Sequence, residues 1–133
     1  MPVFRLADDQ GCFGCGSKNF VGLKLKFRMD RRRRRLATDW IPTKDLQGYA
    51  GIVHGGMTAL VLDEVMGNLL WTLKRPSVTA QMSVRFLKPA YVGEKIHCQA
   101  HLKEEKGRVL HVEAVATRAG QKIAQASGVY IRI

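Results

Sequence analysis

His54, Gly55 and Gly56 lie near the start of a stretch, Gly51 to Leu73, in which Asp63 and Glu64 are the only charged residues after Met57. Glycine admits tight backbone geometry, and the first N–H groups of a helix have no intrahelical acceptor. A helix opening at this His-Gly-Gly offers those donors, with the positive end of its dipole behind them, to an oxygen that gathers negative charge. Asp63 follows His54 by nine positions and Gly56 by seven, so it shares the azimuth of Gly56; Ala59, Leu60, Met66, Gly67 and Leu70 fall near the same stripe. Burying an unpaired carboxylate among such neighbours costs roughly several kcal/mol unless a partner or water compensates. Two readings stand side by side: Asp63 is a working carboxylate, or it turns to solvent at an edge together with Glu64.

The elements that must position these groups follow from the patterning. From Met57 to Leu73 the predominantly apolar composition predicts a helix buried on most of its circumference, ended by Lys74-Arg75-Pro76. Before it, Leu23, Leu25, Phe27 and Met29 alternate with basic residues, and Leu36, Thr38 and Trp40 alternate again. This predicts a hairpin from about Val21 to Trp40 with its turn in or near Arg31–Arg35. Residues 41–51, with Pro42, Gly48 and Gly51, form a loop leading to the helix. After the helix come strands at Val78 to Lys88, Glu94 to Glu104, Val109 to Arg118 and Lys122 to Ile133, expected as a four-stranded meander. Two strands, one helix and four strands make an α+β fold, an antiparallel sheet curled around one long central helix.

A chain of 133 residues with 46% hydrophobic content is expected to be a single domain, 1–133. Residues 1–10 show no apolar run of signal-peptide length, so the expectation is a soluble, cytoplasmic protein without membrane association. Three cysteines argue against a disulfide framework. Cys12-Phe-Gly-Cys15-Gly16 is half of a zinc site or a redox pair by spacing, but Cys98 and four scattered histidines supply no second paired spacing; the alternative is a glycine-rich turn with two small buried side chains. The net charge of +11 and the five arginines from Arg31 to Arg35 suggest nucleic acid at first sight. No aromatic residues interleave with the run as a single-strand platform requires. A solvated hairpin tip or a contact to a small anionic ligand fits better.

The stretch Gln47-Gly-Tyr-Ala-Gly-Ile-Val-His54-Gly55-Gly56, followed by Leu62-Asp63-Glu64, resembles the motif of hotdog-fold acyl-CoA thioesterases of the phenylacetic-acid-degradation type. Cys12-Phe-Gly-Cys-Gly, Gly22-Leu-Lys-Leu and Val84-Arg-Phe-Leu-Lys-Pro89 resemble the same family, so the likeness extends over nearly the whole chain. The resemblance implies a hotdog domain forming a homodimer or homotetramer, with Asp63 of one subunit facing the His54-Gly55 turn of another. It implies catalytic roles for Asp63, Gly55 and His54, and a water-holding hydroxyl at Thr79. Some members carry an Asn shortly before the His-Gly-Gly; here that place is Gly48, with Gln47 beside it. Gly56 joins the substrate-binding turn, and Arg85, Lys88 and Tyr91 correspond to the segment that contacts the nucleotide in relatives.

The implied chemistry is hydrolysis of an aryl-, short- or medium-chain acyl-CoA. The Gly55 N–H stabilises the oxyanion, and Asp63 acts as general base or as nucleophile. His54 holds the thioester or orders the loop. No cofactor and no metal is required, and the phosphates of coenzyme A give the basic surface a use. Met57, Leu60 and Met66 are candidates for the acyl pocket. The alternatives are a hotdog that binds acyl-CoA without cleaving it, and, less favoured, a basic nucleic-acid binder.

Overall fold

The structure is a computed structural model and describes residues 6–133; the first five positions of the expected irregular N-terminal stretch lie outside the described residues. Its elements are β1 (Arg28–Asp30), β2 (Arg35–Trp40), a single 3-10 turn at Lys44–Leu46, α1 (Gly55–Thr72), β3 (Ser77–Phe86), β4 (Ile96–Lys106), β5 (Val109–Arg118) and β6 (Gln121–Arg132). They build one six-stranded antiparallel sheet in the order β1-β2-β4-β5-β6-β3, with α1 packed against β2 to β6. The α+β hotdog architecture expected from the sequence is therefore present.

Two expectations are corrected. The strands after α1 are not a four-stranded meander, because β3 pairs with β6 at one edge of the sheet while β4 joins β2. The chain between β3 and β4 cannot turn back as a hairpin. It is tied instead to the loop before α1: Val53 N–H donates to Ala90 O (2.8 Å), Val92 N–H to Gly51 O (3.0 Å) and Gly93 N–H to Pro42 O (2.9 Å). The segment runs along the loop before α1 and delivers β4 to its place beside β2, away from β3.

The first hairpin is also shorter than its alternation suggested, since β1 holds only three residues. Lys24 adopts a left-handed conformation (φ +52°), which breaks the strand. Leu23 and Leu25 instead donate their N–H groups to Phe13 O and Gly14 O, both at 2.9 Å, so this segment backs the Cys12–Cys15 loop. The arginine run forms the hairpin turn, and Arg31–Arg35 are all exposed.

Val61, Leu62, Val65, Met66, Leu69 and Leu70 of α1 are fully buried against Ile96, Leu110, Val112 and Ile123 of the sheet. Each such side chain contributes about 1.5–3 kcal/mol through burial. The alternation of buried and half-buried residues along β5 reflects the strand period, with one face on the helix. This packing fixes the rotation of α1. Asp63, Glu64, Gly67 and Asn68 consequently lie half-buried along its flank.

Candidate active site

The start of α1 is set by His54. Its φ and ψ of −57° and 129° are those of an N-cap, and its Nδ1 accepts the Gly56 N–H at 2.9 Å. A ring that accepts at Nδ1 is neutral and carries its proton on Nε2, which becomes a second donor at the same end. The His54 N–H is bound to Leu46 O at 2.8 Å, and Met57 and Thr58 donate to His54 O. The Gly55 N–H has no acceptor among the described residues. It opens on a largely apolar cavity of about 680 Å³ bordered by Tyr49, His54, Gly55, Thr58, Phe86 and Lys88.

Asp63 lies eight residues beyond Gly55 along α1, or about 12 Å at the usual helical rise. It borders a separate cleft of about 500 Å³ that also holds Cys12, Glu64, Asn68, Thr79 and Tyr130. Thr79 Oγ1 and Tyr130 Oη donate to the same oxygen, Asp63 Oδ1, at 2.9 and 2.6 Å. Asp63 Oδ2 has no hydrogen-bond donor among the described residues. Burial and the adjacent Asp63 raise the Tyr130 hydroxyl above the ordinary phenol range, so it stays protonated and keeps donating. The carboxylate is thus held at one oxygen and presented to the cleft by the other.

Tyr130 reaches this position because Gly128 leaves room. A Cβ at Gly128 would stand 2.6 Å from the Tyr130 ring, and one at Gly67 would touch the ring's other side at 4.0 Å. Tyr130 is the site residue that the sequence analysis missed. Its signal was a glycine in the middle of a strand, two positions before an aromatic, which marks a close approach.

Glu64 does not turn to solvent. Its Oε1 accepts from Cys12 Sγ (2.9 Å) and its Oε2 from Asn68 Nδ2 (2.8 Å), with Cys15 Sγ 4.0 Å from Asn68 Oδ1. Cys12 and Cys15 are half-buried rather than buried as expected. Burial, and then the charge of Glu64, push the Cys15 thiol up to about 12.

The remaining predicted residues divide. Lys88 borders the Gly55 cavity and donates to Gln121 Oε1 at 3.0 Å. The Tyr91 ring lies beneath the Arg118 guanidinium, 4.6 Å from it, and Arg118 in turn pairs with Glu94 at 3.1 Å. Arg118 was not singled out in the sequence, because only the crossing segment brings it beside Tyr91. Gln47 accepts the Gly51 N–H at 3.1 Å and stabilises that turn. Arg85 lies apart, in a depression of the sheet with Lys122 and Gln125. Of the acyl-pocket candidates, Met66 is sealed in the core, while Met57 and Leu60 are half-buried and border neither cavity. Among the described residues, no helix is long and apolar enough to cross a membrane.

β3 joins the two regions. Thr79 near its start touches Asp63, and the Phe86 ring at its end lies 3.6 Å from a Cβ built on Gly55. One side of β3 pairs with β6 and the other is the free edge of the sheet. That edge is ten residues long, holds no proline, and carries an exposed Val78 and a Phe86 that is 54% exposed. Such an edge is a template for pairing with another strand.

Residues 50–125 match the family model described as the thioesterase superfamily. The acyl-coenzyme A thioesterase 13 of Mus musculus is 32% identical over 80 residues, which amount to 56% of each chain, so this chain spans little more than half of that relative's length. A thioesterase superfamily protein of known crystal structure superposes with a TM-score of 0.83 at 25% identity, over 89% of this chain and 61% of that one. A phenylacetic acid degradation-related protein from Ralstonia eutropha superposes with a TM-score of 0.75 at 25% identity, over 82% and 85% of the two chains.

Proposed function

The chain belongs to the thioesterase superfamily, and from that premise we propose that it is an acyl-CoA thioesterase, releasing the free acid and coenzyme A from an aryl-, short- or medium-chain acyl-CoA. The observation that carries this reading is the presentation of Asp63: two hydroxyl donors hold Oδ1, and Oδ2 is left to the cleft. Asp63 acts as general base. Its Oδ2 takes a proton from a water directed at the thioester carbonyl carbon. The carbonyl oxygen becomes an oxyanion on the Gly55 N–H, a donor of a kind worth about 3 to 4 kcal/mol in the transition state. His54 Nε2–H is a further donor at the same end, and collapse of the intermediate expels the coenzyme A thiolate. Gly56 is not free to bind substrate in this scheme, since its N–H is occupied by His54.

The two halves of this machinery lie too far apart in one chain to act on one thioester. A homodimer resolves this. If β3 pairs antiparallel with its own copy about a twofold axis near Met82–Ser83, Thr79 of one protomer falls opposite Phe86 of its partner. Asp63 of one protomer then faces Gly55 of its partner, and each dimer holds two composite sites. Two dimers associating through their sheets give the tetramer. Lys88, with Arg118 and Tyr91 nearby, receives the phosphates of coenzyme A, while the net charge of +11 steers them in. Three unpaired thiols suit a reducing cytoplasm.

Thiol release from a panel of aryl and short- to medium-chain acyl-CoAs tests the reading, with Asp63→Asn as comparison. Release by the wild type, lost in a variant that still dimerises, is the expected result. Tight acyl-CoA binding without release by either protein would replace hydrolysis with a binding role.

A further inference from the structure

The Cys12–Cys15 loop looks, in sequence, like half of a metal site without its complement. The fold supplies what the spacing lacks. Glu64 arrives from α1, 52 residues away, with Oε1 2.9 Å from Cys12 Sγ. Ligand atoms of Cys12, Cys15 and Glu64 all lie within 4.8 Å of one another. In a tetrahedral zinc site, Zn–S bonds of about 2.3 Å put two sulfurs about 3.8 Å apart, so the three groups need only a small contraction to share one ion.

The loop itself is built to this shape. The Gly16 N–H closes on Cys12 O at 2.8 Å, and a Cβ at Gly16 would fall 2.5 Å from the Cys12 N and the Gln10 O. A Cβ at Gly14 would fall 2.3 Å from the Glu64 side chain. Both positions must be glycine for the two sulfurs to settle on the carboxylate. Asn68 Nδ2 holds Glu64 Oε2 at 2.8 Å, the outer-shell contact that orients a ligating carboxylate.

We propose that Cys12, Cys15 and Glu64 bind one zinc-class divalent cation, with solvent in the fourth place, and that the ion clamps the N-terminal loop onto α1 beside Asp63. Two thiolates select a borderline-soft metal over magnesium or calcium. On binding, each thiol gives its proton to water, and the two thiolates with the Glu64 carboxylate leave the bound site with one net negative charge. The ion is a structural clamp and takes no part in the hydrolysis. Asp63 stays with Thr79 and Tyr130.

The test is Co²⁺ titration of the reduced, metal-free protein, read by absorption. The expected result is one Co²⁺ per chain, with a thiolate-to-cobalt charge-transfer band and the intense d–d bands of tetrahedral coordination, displaced by Zn²⁺. Cys12→Ser and Cys15→Ser lose the charge-transfer intensity. Asn68→Ala weakens affinity about tenfold to a hundredfold. Glu64→Gln, close in shape, weakens binding while its circular dichroism stays that of the wild type, and Cys98→Ala, away from the cluster, keeps the full band. Zinc raises the melting temperature of the wild type and not of Cys12→Ser. Absence of the band in reduced wild type, or its survival in Cys12→Ser, would overturn the assignment.

Discussion

The two candidate regions, at Gly55 and at Asp63, are made of different materials. At Gly55 the useful groups are a backbone N–H and a ring nitrogen, fixed by where a helix begins. At Asp63 they are side chains from a helix and two strands, brought together by tertiary packing. The first cavity is largely apolar; the second is rich in carboxylates, hydroxyls and thiols. Neither half by itself would suffice for the proposed hydrolysis. The difference teaches that the helix N-terminus provides electrostatics that mutation of side chains hardly touches, whereas the carboxylate end depends on several contacts, each of which a single substitution removes.

That contrast can be tested at both ends. Asp63→Asn keeps the shape and both hydroxyl neighbours but removes the base, and kcat should fall by about a hundredfold to ten-thousandfold in steady-state assays. At the other end, Gly55→Pro removes the N–H and puts a ring methylene in its place. Proline is favoured at the first helical position, and the extended His54 (φ −57°, ψ 129°) is the backbone that precedes proline comfortably. The expected loss is about a hundredfold to a thousandfold in kcat with little change in melting temperature. Mixing these two inactive proteins after subunit exchange should restore about a quarter of wild-type activity, since half the dimers are mixed and each has one intact site. A mixture that stays inactive despite exchange would place both groups in one chain.

Smaller effects grade the carboxylate end. Tyr130→Phe retains the ring and removes one donor to Asp63, so kcat should drop about tenfold, the equivalent of roughly 1.4 kcal/mol. Gly128→Ala presses on the Tyr130 ring and should cost about 1–3 kcal/mol in denaturant unfolding, with a similar fall in activity. Replacing Arg31 to Arg34 by glutamine should leave kcat and the melting temperature unchanged, because these side chains are exposed at a turn. It should raise KM modestly at low salt and not at high salt, where screening removes the steering.

What the sequence made legible is what depends on local rules. The start of α1 at His-Gly-Gly, its apolar length, the spans of β5 and β6 within a residue, and the solvated arginine turn follow from capping, periodicity and charge. Less was legible wherever the partner is distant. The alternation from Leu23 to Met29 read as a strand because nothing in that window announces that Lys24 turns left-handed to back the cysteine loop. β3 was placed in sequence order, although nine residues of crossing chain carry β4 away from it. Asp63 was singled out by its spacing from His54, but the donors that hold it were half visible: Thr79 by resemblance, Tyr130 not at all. Glu64 looked like a solvent partner of Asp63, and only the fold reveals that it faces two thiols.

The pairing of β3 with β6 also bears on how the protein is made. Asp63 and Tyr130 are 67 residues apart, and β4 and β5 must emerge from the ribosome before β6 can cover the inner side of β3. Until then β3, with Val78 and Phe86 uncovered, has two open edges, while α1 already seeks a sheet to lie on. Long-range pairings of this kind form late and expose aggregation-prone surface meanwhile. The nascent chain therefore acquires its carboxylate end in the same event that completes its sheet, and a ribosome-bound chain stalled before β6 carries the His54 turn while Asp63 still lacks its Tyr130 donor.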